Sequence, residues 1–153
     1  MSDSDDNKTI VLGGAAASAA PVQRNTAVDT TVLQPGTRLH EFEIVDLVGQ
    51  GGFGIVYLAD DHSLQRRVAI KEYMPSSLAT RGKDDSVIVR SARHTDTFEI
   101  GLRSFVNEAR LLAQFDHPAL LKVFRFWEAN GTAYMAMPYY AGKTLRDALK
   151  ERE

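Results

Sequence analysis

The glycines of Gly49-Gln50-Gly51-Gly52-Phe53-Gly54 are spaced as G-x-G-x-x-G, and Ile55-Val56 follow at once. Glycine backbone can take positive φ and bring N–H groups against phosphate oxygens, and Phe53 at the tip is placed to shield those phosphates from water. Taken alone, the same spacing also describes a flexible hairpin turn with no ligand. A dinucleotide fingerprint would open a helix and a Walker loop would end in Gly-Lys-Ser or Gly-Lys-Thr, whereas Gly54 runs into a β-branched pair, so the loop joins two strands. Lys71 closes the apolar run Val68-Ala69-Ile70-Lys71. Alone it reads as a solvated strand end. Glu108 has Ser104, Phe105, Leu111 and Leu112 at helical spacing and no base among them, so a carboxylate beside a packing face needs a tertiary partner. Lys71 is the candidate.

The elements that must position these groups follow from periodicity. Phe42, Ile44, Leu47 and Val48 lead as a strand into the glycine cluster, Ile55-Val56-Tyr57-Leu58-Ala59 form a second strand, and Val68-Ala69-Ile70-Lys71-Glu72-Tyr73 a third after the turn Asp60-Asp61-His62-Ser63. Pro75 ends the third strand, and Val87-Ile88-Val89 suggest a short extra one in the polar stretch that follows. Asp96 with Glu99 resembles a capping box, and Phe98, Leu102, Phe105, Ala109 and Leu112 recur at helical intervals up to Asp116-His117-Pro118. Residues 123–128 and 132–137 read as strands around Asn130-Gly131, a pair suited to a tight hairpin. Another helix begins over 144–150. The expected fold class is α+β, a five-stranded antiparallel sheet with one main helix, because the connections are too short for repeated parallel crossovers.

Composition narrows the partners. There is no cysteine, and His40, His62, His94 and His117 lack metal-ligand spacing, so neither a disulfide scaffold nor a metal site is expected. The net charge of −2 arises in residues 1–36, where Asp3, Asp5, Asp6 and Asp29 face Lys8 and Arg24, and the rest is balanced. Nucleic acid, which needs a basic surplus, is not an expected partner. No apolar run approaches membrane-spanning length, and the acidic start does not suit a signal peptide, so a cytoplasmic location is expected. Residues 1–36, rich in Ala, Ser, Thr, Gly and Asp, read as a disordered tail, leaving 37–153 as the folded domain.

With the glycine loop, Lys71 and Glu108 in this order, residues 37–153 resemble the amino-terminal lobe of a bacterial eukaryotic-like Ser/Thr protein kinase. The resemblance implies ATP as cofactor and protein substrates as partners. It implies that Gly49, Gln50, Gly51, Gly52, Phe53 and Gly54 cover the phosphates, that Lys71 contacts the α- and β-phosphates, and that Glu108 holds Lys71 in place. Val56 and Ala69 would enclose the adenine, Met137 matches the gatekeeper, and Pro138, Tyr139 and Tyr140 the hinge. The family's hinge uses the carbonyl of residue 138 and the N–H of residue 140, so Pro138 removes a donor that is not required.

Two departures qualify the resemblance. The path from Lys71 to Glu108 is longer than such a lobe needs, and the excess over 72–96 reads either as a docking or regulatory insertion or as a passive loop. Nothing matches H-R-D, D-F-G or A-P-E, so the magnesium ligands would lie in a carboxy-terminal lobe absent here, and this chain alone is expected to be inactive. The alternative is a non-catalytic nucleotide-binding or scaffold half-kinase. In the tail, Thr9-Ile10-Val11-Leu12 and Thr30-Thr31-Val32-Leu33 repeat the pattern Thr-x-Val-Leu. Either this is chance in a biased segment, or Thr9 or Thr30 is phosphorylated and read, with the leucine three positions on, by a forkhead-associated domain.

Overall fold

The computed structural model describes residues 30–142. Strands β1 (Arg38–Leu39), β2 (Phe42–Gln50), β3 (Gly54–Asp61) and β4 (Arg66–Tyr73) come first. Then follow β5 (Ala79–Arg81), β6 (Val87–Val89), a 3-10 turn at Ala92–His94, helix α1 (Thr95–Gln114), and strands β7 (Arg125–Ala129) and β8 (Thr132–Pro138). One antiparallel sheet has the order β1-β2-β3-β4-β8-β7, and β5 pairs with β6 in a separate hairpin. The α+β class holds, with six strands in the main sheet where five were expected. The missed strands, β1 and β5, are two and three residues long, too short for a period of two to show. The helix expected over 144–150 lies outside the described residues.

Register defines two faces. Ile55, Tyr57 and Ala59 share one face with Val68, Ile70 and Glu72, because antiparallel partners point the same way: Tyr57 pairs with Ile70, Ile55 with Glu72, and Glu72 with Tyr134. We call this the outer face. Val56, Leu58, Ala69, Lys71 and Tyr73 lie on the opposite, inner face, together with Met135 and Met137. The alternation along β3 is uneven in an informative way: Ile55, Tyr57, Ala59 and Asp61 are buried, whereas Val56, Leu58 and Asp60 are half-buried. A helix covers part of the inner face, and that leaves accessible surface beside Lys71.

Helix α1 buries Phe98, Phe105, Val106 and Ala109 on the inner face, with Leu102 partly covered, much as the spacing predicts. The ring of Tyr73 stands 5.2 Å from Phe98 and 6.0 Å from Phe105, and its hydroxyl donates to the Phe98 carbonyl at 3.1 Å. The capping box is not formed. His94 is the N-cap and makes no side-chain cap hydrogen bond, so Asp96 sits inside the first turn, where its charge favours the helix dipole. Gly101 is where α1 meets Tyr73: a Cβ there would stand 2.1 Å from the Tyr73 hydroxyl oxygen. Alanine normally stabilises a helix interior by about 1 kcal/mol over glycine. Here the clash reverses the sign, and Gly101→Ala is expected to lower the melting temperature by the equivalent of about 1–3 kcal/mol. A rise in thermal denaturation would contradict this packing.

The β7–β8 hairpin turns as Asn130-Gly131 predicts, with φ of 56° and 71°. Insertion 72–96 contains the small β element expected around 87–89 and is packed rather than looped out. Ala79 and Val87 belong to the buried core, and the Val87 N–H donates to the Asn130 carbonyl at 2.7 Å. Chain before residue 37 is also packed on the sheet. Leu33 is 2% exposed and its N–H donates to the Tyr57 hydroxyl, so the segment from Thr31 belongs with the sheet. Val32-Leu33 is too short an apolar pair to signal burial against a partner remote in sequence.

Candidate active site

The inner face gathers the residues singled out in the sequence. Register places Val56 beside Lys71 and Ala69 beside Met137, so the four side chains form adjacent rows on one face. Ala69 and Met137 are buried, Val56 and Lys71 half-buried, and Tyr140 well exposed beyond the end of β8. Pro138 is the last residue of β8, paired with Val68. The apolar floor is therefore built by strand pairing alone, because every member sits at an inward position of a regular ladder.

The glycine loop joins β2 and β3 as expected, but its glycines act differently from the expectation. Among the described residues only Gly36 and Gly131 are glycines at positive φ, so Gly49, Gly51, Gly52 and Gly54 all keep ordinary backbone angles. Gly54 is required by close approach: a Cβ would stand 2.7 Å from the Glu72 carbonyl oxygen, in the strand that carries Lys71. Around Gly49, Gly51 and Gly52 there is open space. The loop is tied to the chain after β4 through Met74 N–H to the Phe53 carbonyl at 3.1 Å and Ser76 N–H to the Gly52 carbonyl at 3.3 Å. Phe53 projects 84% exposed at the tip. Gly54→Ala is expected to cost about 1–3 kcal/mol by forcing β3 from β4. Gly51→Ala should leave stability within about 0.5 kcal/mol, so any loss of ligand affinity in that variant reports a ligand pressed against the loop. Equal thermal melts for the two variants would contradict the distinction.

Lys71 and Glu108 line one cavity of about 480 Å³, bounded also by Phe53, Tyr73, Ile100 and Phe105. The Lys71 ammonium stands 6.0 Å from the Phe105 ring centroid, a distance at which ring and cation attract. Its expected ion pair is not formed. No ion pair within 4.0 Å joins Lys71 to Glu108 among the described residues, and Glu108 is exposed on α1. The physical reason lies at the helix contact: Phe105, one turn before Glu108, fills the space against Tyr73 and stands over Lys71. The two groups are brought to the same cavity and left apart in it.

The charged group that the sequence reading missed is Glu72. Neighbouring residues in a strand face opposite ways, so Glu72 points to the outer face and is fully buried there. Arg81 meets it with both arms, Nη1 to Oε2 at 2.9 Å and Nη2 to Oε1 at 2.5 Å, and Tyr57 donates its hydroxyl to Oε1 at 2.9 Å. Burial raises the Tyr57 and Tyr134 hydroxyl pKa values, and the adjacent Glu72 charge raises them further. Burial also opposes the Arg81 charge, but the hydrogen bonds and charge of Glu72 outweigh it and the guanidinium pKa is raised. A carboxylate at the covered parity of an apolar strand was the available signal, since it demands a buried partner.

The chain matches the family model described as the protein kinase domain over residues 42–153. It is 30% identical over 112 residues to the serine/threonine-protein kinase PknD of Chlamydia muridarum and 31% identical to that of Chlamydia pneumoniae. Each alignment covers 73% of this chain and 10% of the relative, so the chain spans about a tenth of the length of these curated relatives. Among solved structures, the apo form of PpkA-294 is 55% identical with a TM-score of 0.76, covering 80% of this chain and 43% of that one. The Mycobacterium tuberculosis PknI kinase domain shares the fold, with a TM-score of 0.56 at 24% identity over 79% of this chain and 41% of that one. With its curled sheet, single main helix and glycine loop beside Lys71, the chain belongs to the protein kinase domain family, as an amino-terminal lobe of the kind found in bacterial serine/threonine kinases.

Proposed function

We propose that this chain is the ATP-binding lobe of a protein Ser/Thr kinase and that the full-length protein transfers the γ-phosphoryl group of ATP to protein Ser or Thr hydroxyls. The observation that carries this reading is the inner face, where the glycine loop runs into a strand that sets Val56 beside Lys71 and Ala69 beside Met137, while Phe53 and Lys71 also line an open cavity. In this reading the loop covers the phosphates, and Lys71 offsets charge on the α- and β-phosphates. Val56 and Ala69 enclose the adenine, with Met137 behind it. The carbonyl of Pro138 and the N–H of Tyr140 face its edge. Glu108 acts through Lys71: the two line one cavity without an ion pair within 4.0 Å, and they pair when the nucleotide draws Lys71 and Glu108 together there.

Magnesium would be bound outside these residues. Among the described residues no group of three or more His, Asp or Glu is arranged to hold a metal ion. No helix among them is long and apolar enough to cross a membrane. We place the lobe in the cytoplasm, where ATP and protein substrates meet. Incubating the full-length protein with labelled ATP and magnesium tests the reading through phosphate on Ser or Thr. ATP binding without incorporation would favour the non-catalytic module, and absence of ATP binding would overturn the assignment.

We further propose the tail threonines as substrates of the parent kinase, read after phosphorylation by a forkhead-associated domain. Thr30 is exposed, whereas Leu33, three residues on, is buried. Reading Thr30 together with Leu33 therefore requires residues 30–33 to leave the sheet. Thr9 and Leu12 lie outside the described residues. Mass spectrometry of the active protein and binding of phosphorylated tail peptides, with Leu12→Ala and Leu33→Ala as controls, check this. No phosphate on either threonine would contradict it.

A further inference from the structure

The outer face of the sheet holds a short segment of chain in a built cradle. Arg81, fixed by its two-armed pair with buried Glu72, also donates from Nε and Nη2 to the Thr31 carbonyl at 3.0 and 2.8 Å. Tyr57, fixed by donating to Glu72, accepts the Leu33 N–H at 3.1 Å. The Leu33 side chain enters the core at 2% exposure, Val32 packs against that core, and Thr30 stays exposed. The cradle thus takes a main-chain carbonyl at the second position of Thr-x-Val-Leu, an apolar side chain at the third, and a main-chain N–H with leucine at the fourth. Hydrogen bonds to main chain do not depend on the side chain at the second position.

All of these features recur in Thr9-Ile10-Val11-Leu12, which differs from the docked copy only by Ile10 in place of Thr31. We infer that the cradle formed by Arg81, Glu72 and Tyr57 is a binding site for Thr-x-Val-Leu segments of the chain's own amino-terminal extension, with residues 9–12 as the occupant that exchanges with 30–33. Docking of residues 9–12 would close residues 13–36 into a loop, and the entropy of loop closure grows only with the logarithm of length. Only one leucine fits at a time, so the site determines which copy lies on the sheet and which is free. This inference is independent of any nucleotide on the inner face.

Because the chain has no cysteine, spin labels on introduced cysteines report unambiguous distances. In the full chain carrying Thr30→Cys and Lys83→Cys, two exposed positions, a narrow distance distribution is expected from the docked second copy. With Thr9→Cys and Lys83→Cys, the distribution should be broad. Leu33→Ala should then bring about half or more of the molecules to the narrow 30–83 distance as residues 9–12 take over, and Leu12→Ala in the same chain should abolish that component. A 9–83 distribution unmoved by Leu33→Ala in a chain whose circular dichroism remains folded would overturn the inference, and Leu33→Val is read in the same way should Leu33→Ala unfold.

Discussion

Lys71→Met in the full-length protein is expected to lower kcat by on the order of 10²–10³-fold or more while leaving the melting temperature nearly unchanged. The two outcomes separate because Lys71 is half-buried and pairs with no carboxylate within 4.0 Å among the described residues, so its removal strands no buried charge. Methionine retains the stem that packs on the inner face. Glu108→Gln should reduce activity by a smaller factor, since the proposed role of Glu108 is to act through Lys71, and should also spare the fold because Glu108 is exposed. Kinase assays paired with thermal melts check both. Near-normal turnover in Lys71→Met would remove Lys71 from the reaction, and a large fall in melting temperature would mean that its role is structural.

Arg81→Met is expected to do the opposite: to destabilise the chain without touching the inner face. Glu72 is fully buried and Arg81 nearly so, with side-chain exposures of 0% and 5%. Removing one partner of such a pair leaves an uncompensated charge and costs roughly 3–5 kcal/mol. For a domain of this size that is a fall in melting temperature of about 10 °C or more. Replacing both residues, as in Glu72→Leu with Arg81→Leu, should cost less than Arg81→Met alone, since no charge remains buried. Some loss persists because the Thr31 carbonyl loses the Arg81 donors and the Tyr57 hydroxyl loses its acceptor Glu72 while keeping the Leu33 N–H. A double variant less stable than the single one would show that packing, and not the stranded charge, dominates there.

The difference between these two residues also shows what the sequence made legible. Lys71 was accessible to sequence reasoning because its signal is local: a lysine at the end of an apolar strand, downstream of a glycine loop and upstream of an unpaired glutamate. The strands β2, β3, β4 and β8 and helix α1 were legible for the same reason, each being long enough to show its own period. Arg81 was not. It lies in a polar stretch with no periodicity, and its importance comes from Glu72, Tyr57 and Thr31, of which Thr31 is 50 residues away in sequence. The missing ion pair between Lys71 and Glu108 was hidden too, because the position of α1 is set by its Phe98 and Phe105 rings packing on Tyr73 across the inner face. The positive φ expected at the glycine loop failed on similar grounds, since the need at Gly54 is a backbone contact with the neighbouring strand.

The proposed function requires the inner face to hold ATP with its phosphates at the Lys71 amine. An ATP derivative carrying an acyl group on its terminal phosphate transfers that acyl group to an amine lying beside the bound phosphates, and digestion with mass spectrometry identifies the lysine. With the full-length protein, acylation is expected at Lys71, suppressed by excess ATP and unaffected by Lys83→Arg, a change on the exposed hairpin turn between β5 and β6. Acylation at other lysines with Lys71 unmodified, or labelling of Lys71 that excess ATP leaves unchanged, would contradict it.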